Sequence, residues 1–262
     1  MLTTSDSYRQ ISQNLTRSLT TLASEPQVAR ESKYYLEHIG DIKSVDDFMN
    51  NDRIYRFAMK AFGLEDMAYA KAFVRKVLTE GISDSKAFAN TLSDTRFKDL
   101  AKTFNFESLG EATTVTADAR QDTVDRYVRL SLEQKSGEQN EGVRLALYFA
   151  RKAPNLTSTM GILADKALVQ VARTALGIAP ETAFMDIDKQ AEMFSKRLDV
   201  ADFKDPKKLD HFITRFTTMW ELNNRSTPQS SLELAPFVSS SPAIGISGDL
   251  LASINSLKLG GY

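Results

Sequence analysis

The sequence predicts an all-α, multi-helix protein built around a duplicated helical unit. Apolar residues recur at intervals of three and four along almost the whole chain, which is the spacing of one buried helix face. Ser, Asp, Asn and Gly punctuate those apolar runs where helices start and stop. No segment alternates with period two, so no sheet of consequence is expected.

The elements follow in order. Tyr8, Ile11, Leu15, Leu19 and Leu22 lie 3, 4, 4 and 3 residues apart, opposite a face of Arg, Gln, Ser and Thr. This reads as one amphipathic helix over residues 8–22. Ser24-Glu25-Pro26-Gln27 supplies a cap and an early proline for a second helix reaching Ile39, with Gly40 as a left-handed stop. Ser44-Val45-Asp46-Asp47 is a capping box for a short helix. Helices over 53–62 and 66–80 end at Gly63 and Gly81. Ser83 or Ser85 caps a helix through Leu92, and Ser93 caps one over 94–104, closed by Asn105. Residues 107–116 have loop composition. A longer helix begins at Asp118 and is broken by Gly137; its successor runs over 138–151 to Pro154. Shorter helices follow over 160–163, 165–176 with a stop at Gly177, 186–198 and 206–222. Residues 223–247 are rich in Pro and Ser and read as a connector. Beyond it Leu250, Leu251, Ile254 and Leu257 form a short apolar face. The organisation is therefore 1–43, N-terminal amphipathic helices; 44–117, first unit; 118–157, long connecting helices; 158–222, second unit; and 223–262, connector and C-terminal amphipathic helix.

The duplication rests on an ungapped match of residues 54–64 to 168–178. Ala58, Ala61 and Gly63 fall on Ala172, Ala175 and Gly177, and Ile54, Phe57, Phe62 and Leu64 on Leu168, Val171, Leu176 and Ile178. Phe73, Arg75 and Lys76 echo Phe194, Lys196 and Arg197 further along. Small Ala lets helices approach closely, Gly provides the positive-φ stop, and the next apolar residue folds back on the helix end.

Composition excludes several functions. The 262 residues carry 33 basic and 34 acidic side chains, a net charge of -1, without the basic excess of a nucleic-acid binder. The absence of cysteine removes disulfides, thiolate metal sites and cysteine nucleophiles. The first 21 residues are Ser/Thr-rich with no apolar run, unlike a cleavable signal, and no stretch is long enough to span a bilayer. The two histidines, His38 and His211, are far apart and form no zinc motif. No glycine-rich phosphate loop occurs, and Gly245-Ile246-Ser247-Gly248 is not a nucleophile elbow. Asp46-Asp47 and Asp186/Asp188 sit at helix starts, where carboxylates oppose the dipole, and lack the other ligands of a calcium loop. No catalytic, cofactor-binding or metal-binding residue is assigned, and no cofactor is expected.

Three blocks carry a family resemblance: Phe48…Asp52-Arg53-Ile54…Phe57-Ala58…Ala61-Phe62-Gly63-Leu64; Phe88-Ala89-Asn90…Leu92…Asp94-Thr95-Arg96-Phe97; and the run from Gly142 through Tyr148 and Phe149 to Pro154. Over roughly residues 44–222 the chain resembles an uncharacterised alphaproteobacterial family with a domain of unknown function, often encoded among flagellar genes. That resemblance implies a link to the flagellum and no catalytic residue. The expectation is a non-catalytic structural or assembly protein acting through helix-mediated contacts, made without a classical signal peptide and residing in the cytoplasm or on the flagellum. The alternative is a cytoplasmic helical adaptor or chaperone-like module. The partner is a protein, either flagellar components or a second copy. The residues expected to meet it are Tyr8, Ile11, Leu15, Leu19 and Leu22 at one end and Leu250, Leu251, Ile254 and Leu257 at the other.

Overall fold

Asn14 decides the entry into the fold. In the computed structural model, which describes residues 2–224, its backbone leaves the helical region (φ -122°, ψ 37°) and splits the expected single helix into α1 (Thr4–Gln13) and α2 (Leu15–Ala23). Asn competes for backbone hydrogen bonds in non-helical conformations, which favours such a break. The break sends the two halves of the apolar stripe to different places. Tyr8 enters one apolar cluster and Leu22 another, while Ile11 touches both.

The remaining helices are α3 (Pro26–His38), α4 (Val45–Asn50), α5 (Asp52–Ala61), α6 (Lys71–Glu80), α7 (Phe88–Thr91), α8 (Thr95–Thr103), α9 (Phe106–Leu109), α10 (Thr123–Gln139), α11 (Glu141–Lys152), α12 (Thr159–Leu163), α13 (Lys166–Leu176), α14 (Ile187–Ser195) and α15 (Pro206–Asn224). No strand occurs among the described residues.

Several boundaries depart from the sequence reading. Pro26 does start α3, but Glu25 holds the cap position and the Ser24 hydroxyl bonds back to the Thr20 carbonyl. Gly40 lies in a 3-10 turn, Ile39–Asp41, and is not a left-handed stop. Helix 66–80 starts late, at Lys71, after the turn Glu65–Met67, and the helix expected to end at Leu92 shrinks to α7. Asp94, not Ser93, caps α8. Asn105 caps α9, so the expected loop 107–116 is largely α9 plus the 3-10 segment Gly110–Val115. Helix α10 runs straight through Gly137. There the missing Cβ makes room for Arg144, whose Cδ would lie 2.7 Å from it, and the break falls at Asn140, the cap of α11.

Two apolar clusters organise the described residues. The first gathers α2 to α10 around Phe48, Tyr55, Phe57, Leu64 and Phe104. A stack of Tyr35, Phe57 and Tyr127, with ring centroids 4.3 and 4.0 Å apart, ties α3, α5 and α10 together. The second gathers α1 and α11 to α15 around Phe149, Phe194, Ile213 and Phe216. The expected connecting pair is thus divided, α10 contributing to the first cluster and α11 to the second. Both chain ends of the described region are tied to that junction. Thr4 is buried and donates from its N–H and Oγ1 to Glu221 of α15, at 2.9 and 2.6 Å, while Asn140 donates to Thr4 at 2.9 Å. Gly142 lets the Trp220 ring lie over it, since an added Cβ would meet Cδ1 at 2.4 Å.

The proposed duplicates share an order of elements. A Ser-capped short helix (α4 after Ser44, α12 after Ser158) precedes a glycine-stopped helix (α5, α13), a 3-10 turn and a further helix (α6, α14). The stops match bond for bond. Leu64 N–H donates to Met59 O at 2.8 Å and Ile178 N–H to Arg173 O at 2.9 Å, with Gly63 at φ 70° and Gly177 at φ 62°. These six-to-one bonds need a positive φ at the glycine. Past α6 and α14 the elements differ: α7, α8 and α9 follow the first, and a 3-10 turn, Val200–Lys204, and the 19-residue α15 follow the second.

Candidate functional site

Each of the two matched glycine stops, Gly63 and Gly177, borders a cleft, and the two clefts differ in chemistry. Beside Gly63 lies one of about 400 Å³ between α8, α10 and α11. Its charges are largely answered from within the chain. Glu133, with 3% of its side chain exposed, accepts from Arg129 Nε at 3.1 Å and from Arg151 Nε and Nη2 at 2.8 and 2.9 Å. Arg96 clasps Asp94 and also donates to the Gly63 carbonyl. Arg144 clasps Glu141. Burial, then the neighbouring Arg151 charge, pushes the Lys152 ammonium below the ordinary lysine range. The arrangement clamps helices together; Glu133 serves α10 and α11 at once.

Beside Gly177 lies a larger cleft of about 800 Å³, bounded by α13, the 3-10 turn Pro180–Phe184, the start of α14 and the end of α15. Val169, Ile178, Ala183, Ile187 and Met219 give it apolar walls. Among the described residues that line it, Lys166 and Arg173 are the cations and none is a carboxylate. Gln190 is buried and fixes the far wall: its amide donates to the carbonyls of Ala183 and Met185, at 3.3 and 2.7 Å, and its Oε1 accepts from Arg173 Nη2 at 2.6 Å. Arg173 Nε is buried and has no hydrogen-bond partner among the described residues. Next to this cleft the chain exposes large apolar side chains: Phe184 is 92% exposed, Leu222 57%, Ile187 47% and Met185 42%. Several large apolar side chains exposed around one cleft mark a surface for another molecule more often than scattered single exposures do.

The sequence-assigned partner residues fall elsewhere. Tyr8 and Leu22 are 4% exposed, and Ile11, Leu15 and Leu19 are partly buried against the clusters. The chain's own helices cover this stripe, because the break at Asn14 turns both halves inward. Leu250, Leu251, Ile254 and Leu257 lie outside the described residues. The apolar rim at 184–187 was missed because its sequence, Ala183-Phe184-Met185-Asp186-Ile187, reads equally well as core; the signal available was a large apolar run with no helical partner spacing just after Pro180.

No group of potential metal ligands occurs among the described residues. His38 stacks on Tyr34 with centroids 4.1 Å apart and its Nδ1 lies 2.9 Å from the Tyr34 carbonyl, a local structural role. Asp47 completes the Ser44 cap, and the Ser44 hydroxyl holds its carboxyl below the usual range. Asp186 caps α14 by accepting from Asp188 N–H. No helix of the described region is long and apolar enough to cross a membrane.

Comparison with curated proteins finds no match. Among solved structures the chain is similar to the crystal structure of protein AGR_C_984 from Agrobacterium tumefaciens, at 52% identity and a TM-score of 0.77, over 84% of this chain and 93% of that one. The pattern of a family described as proteins of unknown function (DUF1217) matches residues 61–209, which include α6 to α14 and both clefts' central helices. The chain belongs to this family of helical proteins of unknown function.

Proposed function

We propose that the protein is a non-catalytic structural or assembly protein associated with the bacterial flagellum, working through helix-mediated contacts with other proteins. The observation that carries the contact part is the apolar rim of Phe184, Met185, Ile187 and Leu222 beside the Gly177 cleft. Large side chains left in water at one place are a site where burial by a partner would contribute about 1.5–3 kcal/mol each. The flagellar part rests on the family resemblance of the sequence blocks alone. The C-terminal apolar face, Leu250 to Leu257, is a second contact surface in this reading.

The groove between α13 and α15 also favours a second reading, a cytoplasmic adaptor or chaperone-like module that holds a partner's helix. Location separates the two. Tagged full-length protein, expressed in its native bacterium, is expected to co-purify with sheared flagella, and a Phe184→Ser/Ile187→Ser variant to be lost from that fraction. Recovery of both proteins only from the cytosol would leave the adaptor reading. Deleting residues 240–262 tests the second surface, the expected result being retained folding with loss of assembly.

A further inference from the structure

The Gly177 cleft also constrains what its partner carries. Along α13 its lining recurs at Lys166, Val169/Gln170, Arg173/Thr174 and on to Gly177, one stripe about three turns long. That matches the i, i+3, i+4, i+7 anchors of a helix laid in a groove. The rim of Phe184, Met185 and Leu222 stands outside the cleft proper, so a small molecule filling the cleft would leave it wet, whereas a helix about 10 Å across would cover it. Charge then selects among helices. A purely apolar face would seal Arg173 and Lys166 away from water with no carboxylate among the described lining residues, and Arg173 Nε is already sealed without a partner among them. Gln190 engages the guanidinium through Nη2 alone.

We propose that the cleft docks an amphipathic helix of a partner protein bearing a carboxylate beside its apolar stripe, and that Arg173 reads that carboxylate. This rests on the helix-contact reading above and specifies its partner. The carboxylate pairs with the part of the guanidinium that Gln190 leaves free, and the planar fork favours it over an amide. Lys166, at the start of α13, adds a second positive charge at the mouth.

The test uses two fluorescein-labelled peptides of roughly 18 residues, long enough to be helical, with a leucine stripe flanked by one glutamate or one glutamine. Their binding to the full-length chain is followed by anisotropy. The glutamate peptide is expected to bind about tenfold tighter. Arg173→Met should bring both peptides to the glutamine level, and Arg173→Lys should recover part of the preference, because charge remains without the fork. Equal affinities, binding by neither peptide, or a preference that survives Arg173→Met would overturn the proposal. If Arg173→Met melts early, Arg173→Lys decides: it must narrow the preference at least about threefold, and an unchanged preference overturns the assignment. None of these outcomes depends on where the protein resides, so their failure leaves the flagellar fractionation result standing.

Discussion

The neighbourhoods of Gly63 and Gly177 start from the same local instructions and end in opposite chemistry. Both helices carry Ala at the two matched positions, stop at a positive-φ glycine and fold an apolar residue back onto the helix end. Around Gly63, Arg96 reaches its carbonyl and a buried glutamate neutralises neighbouring arginines. Around Gly177, among the described residues, no side chain lies within 4 Å of where a Cβ would stand and no carboxylate meets Arg173. A helix stop is a local device that determines nothing about its surroundings. The elements that pack on it decide whether the site becomes a clamp or an opening.

The sharpest way to break the comparison is Glu133→Gln. It strips the clamp of its buried negative charge and leaves Arg129 and Arg151 facing each other. Urea unfolding should show a loss of about 3–5 kcal/mol. A loss under about 1 kcal/mol would mean that the first cleft is not held by this pair of bridges.

Next come the stops themselves. Gly63→Val and Gly177→Val should each cost about 1–2 kcal/mol, since a β-branched residue resists positive φ. Gly63→Val should cost more, because Arg96 and Leu130 already stand at contact distance, 3.9–4.0 Å, from the added Cβ and crowd the valine methyls, while Gly177 is open among the described residues. Equal melting temperatures for the two variants would remove the contrast in surroundings.

Smaller effects distinguish the two arginines. Arg96→Met should lower stability by about 1–2 kcal/mol, discounted for the partial exposure of its bridge to Asp94. Arg173→Met should cost less, about 0.5–1 kcal/mol, since removing a buried N–H that has no partner among the described residues offsets part of the loss of its bond to Gln190. A large loss at Arg173 would recast the second cleft as structural.

The smallest expected effect is in pH. Burial pushes the Asp94 carboxyl up, but the hydrogen bonds and charge of Arg96 outweigh it and leave it below the usual range. A depressed carboxylate contributes stability above its unfolded pKa of about 3.9, and that contribution is lost as pH falls through the folded value. The melting temperature of the native chain should therefore fall more than that of Arg96→Met on acidification below about pH 4. Parallel acid profiles would show that Asp94 and Arg96 do not couple.

Much of this contrast was invisible in the amino-acid string. The glycine stops were legible because Gly after an Ala-rich apolar helix has a local physical meaning. The clefts were not, since Glu133 meets Arg151 across the bend at Asn140, and Arg173 meets Gln190 across an intervening turn. Glu133 reads in sequence as an ordinary solvent-facing helix charge; only the packing of α11 on α10 buries it.

The sequence by itself determined the all-α class, the Ser44 cap and Pro26 start, and the positions of Gly63 and Gly177. Each depends on backbone preferences and side chains within a turn or two. Tertiary structure decided what needed distant partners. It turned the 8–22 stripe inward at Asn14, carried α10 through Gly137 because Arg144 needed the space, and ordered residues 106–115 around buried threonines, Thr114 donating to Ile42 O at 2.9 Å and Thr113 to Thr103 O at 3.3 Å. It also left Phe184 outside. Apolar periodicity reports that a residue wants to be buried, but whether the fold has room for it depends on volume filled by elements distant in sequence.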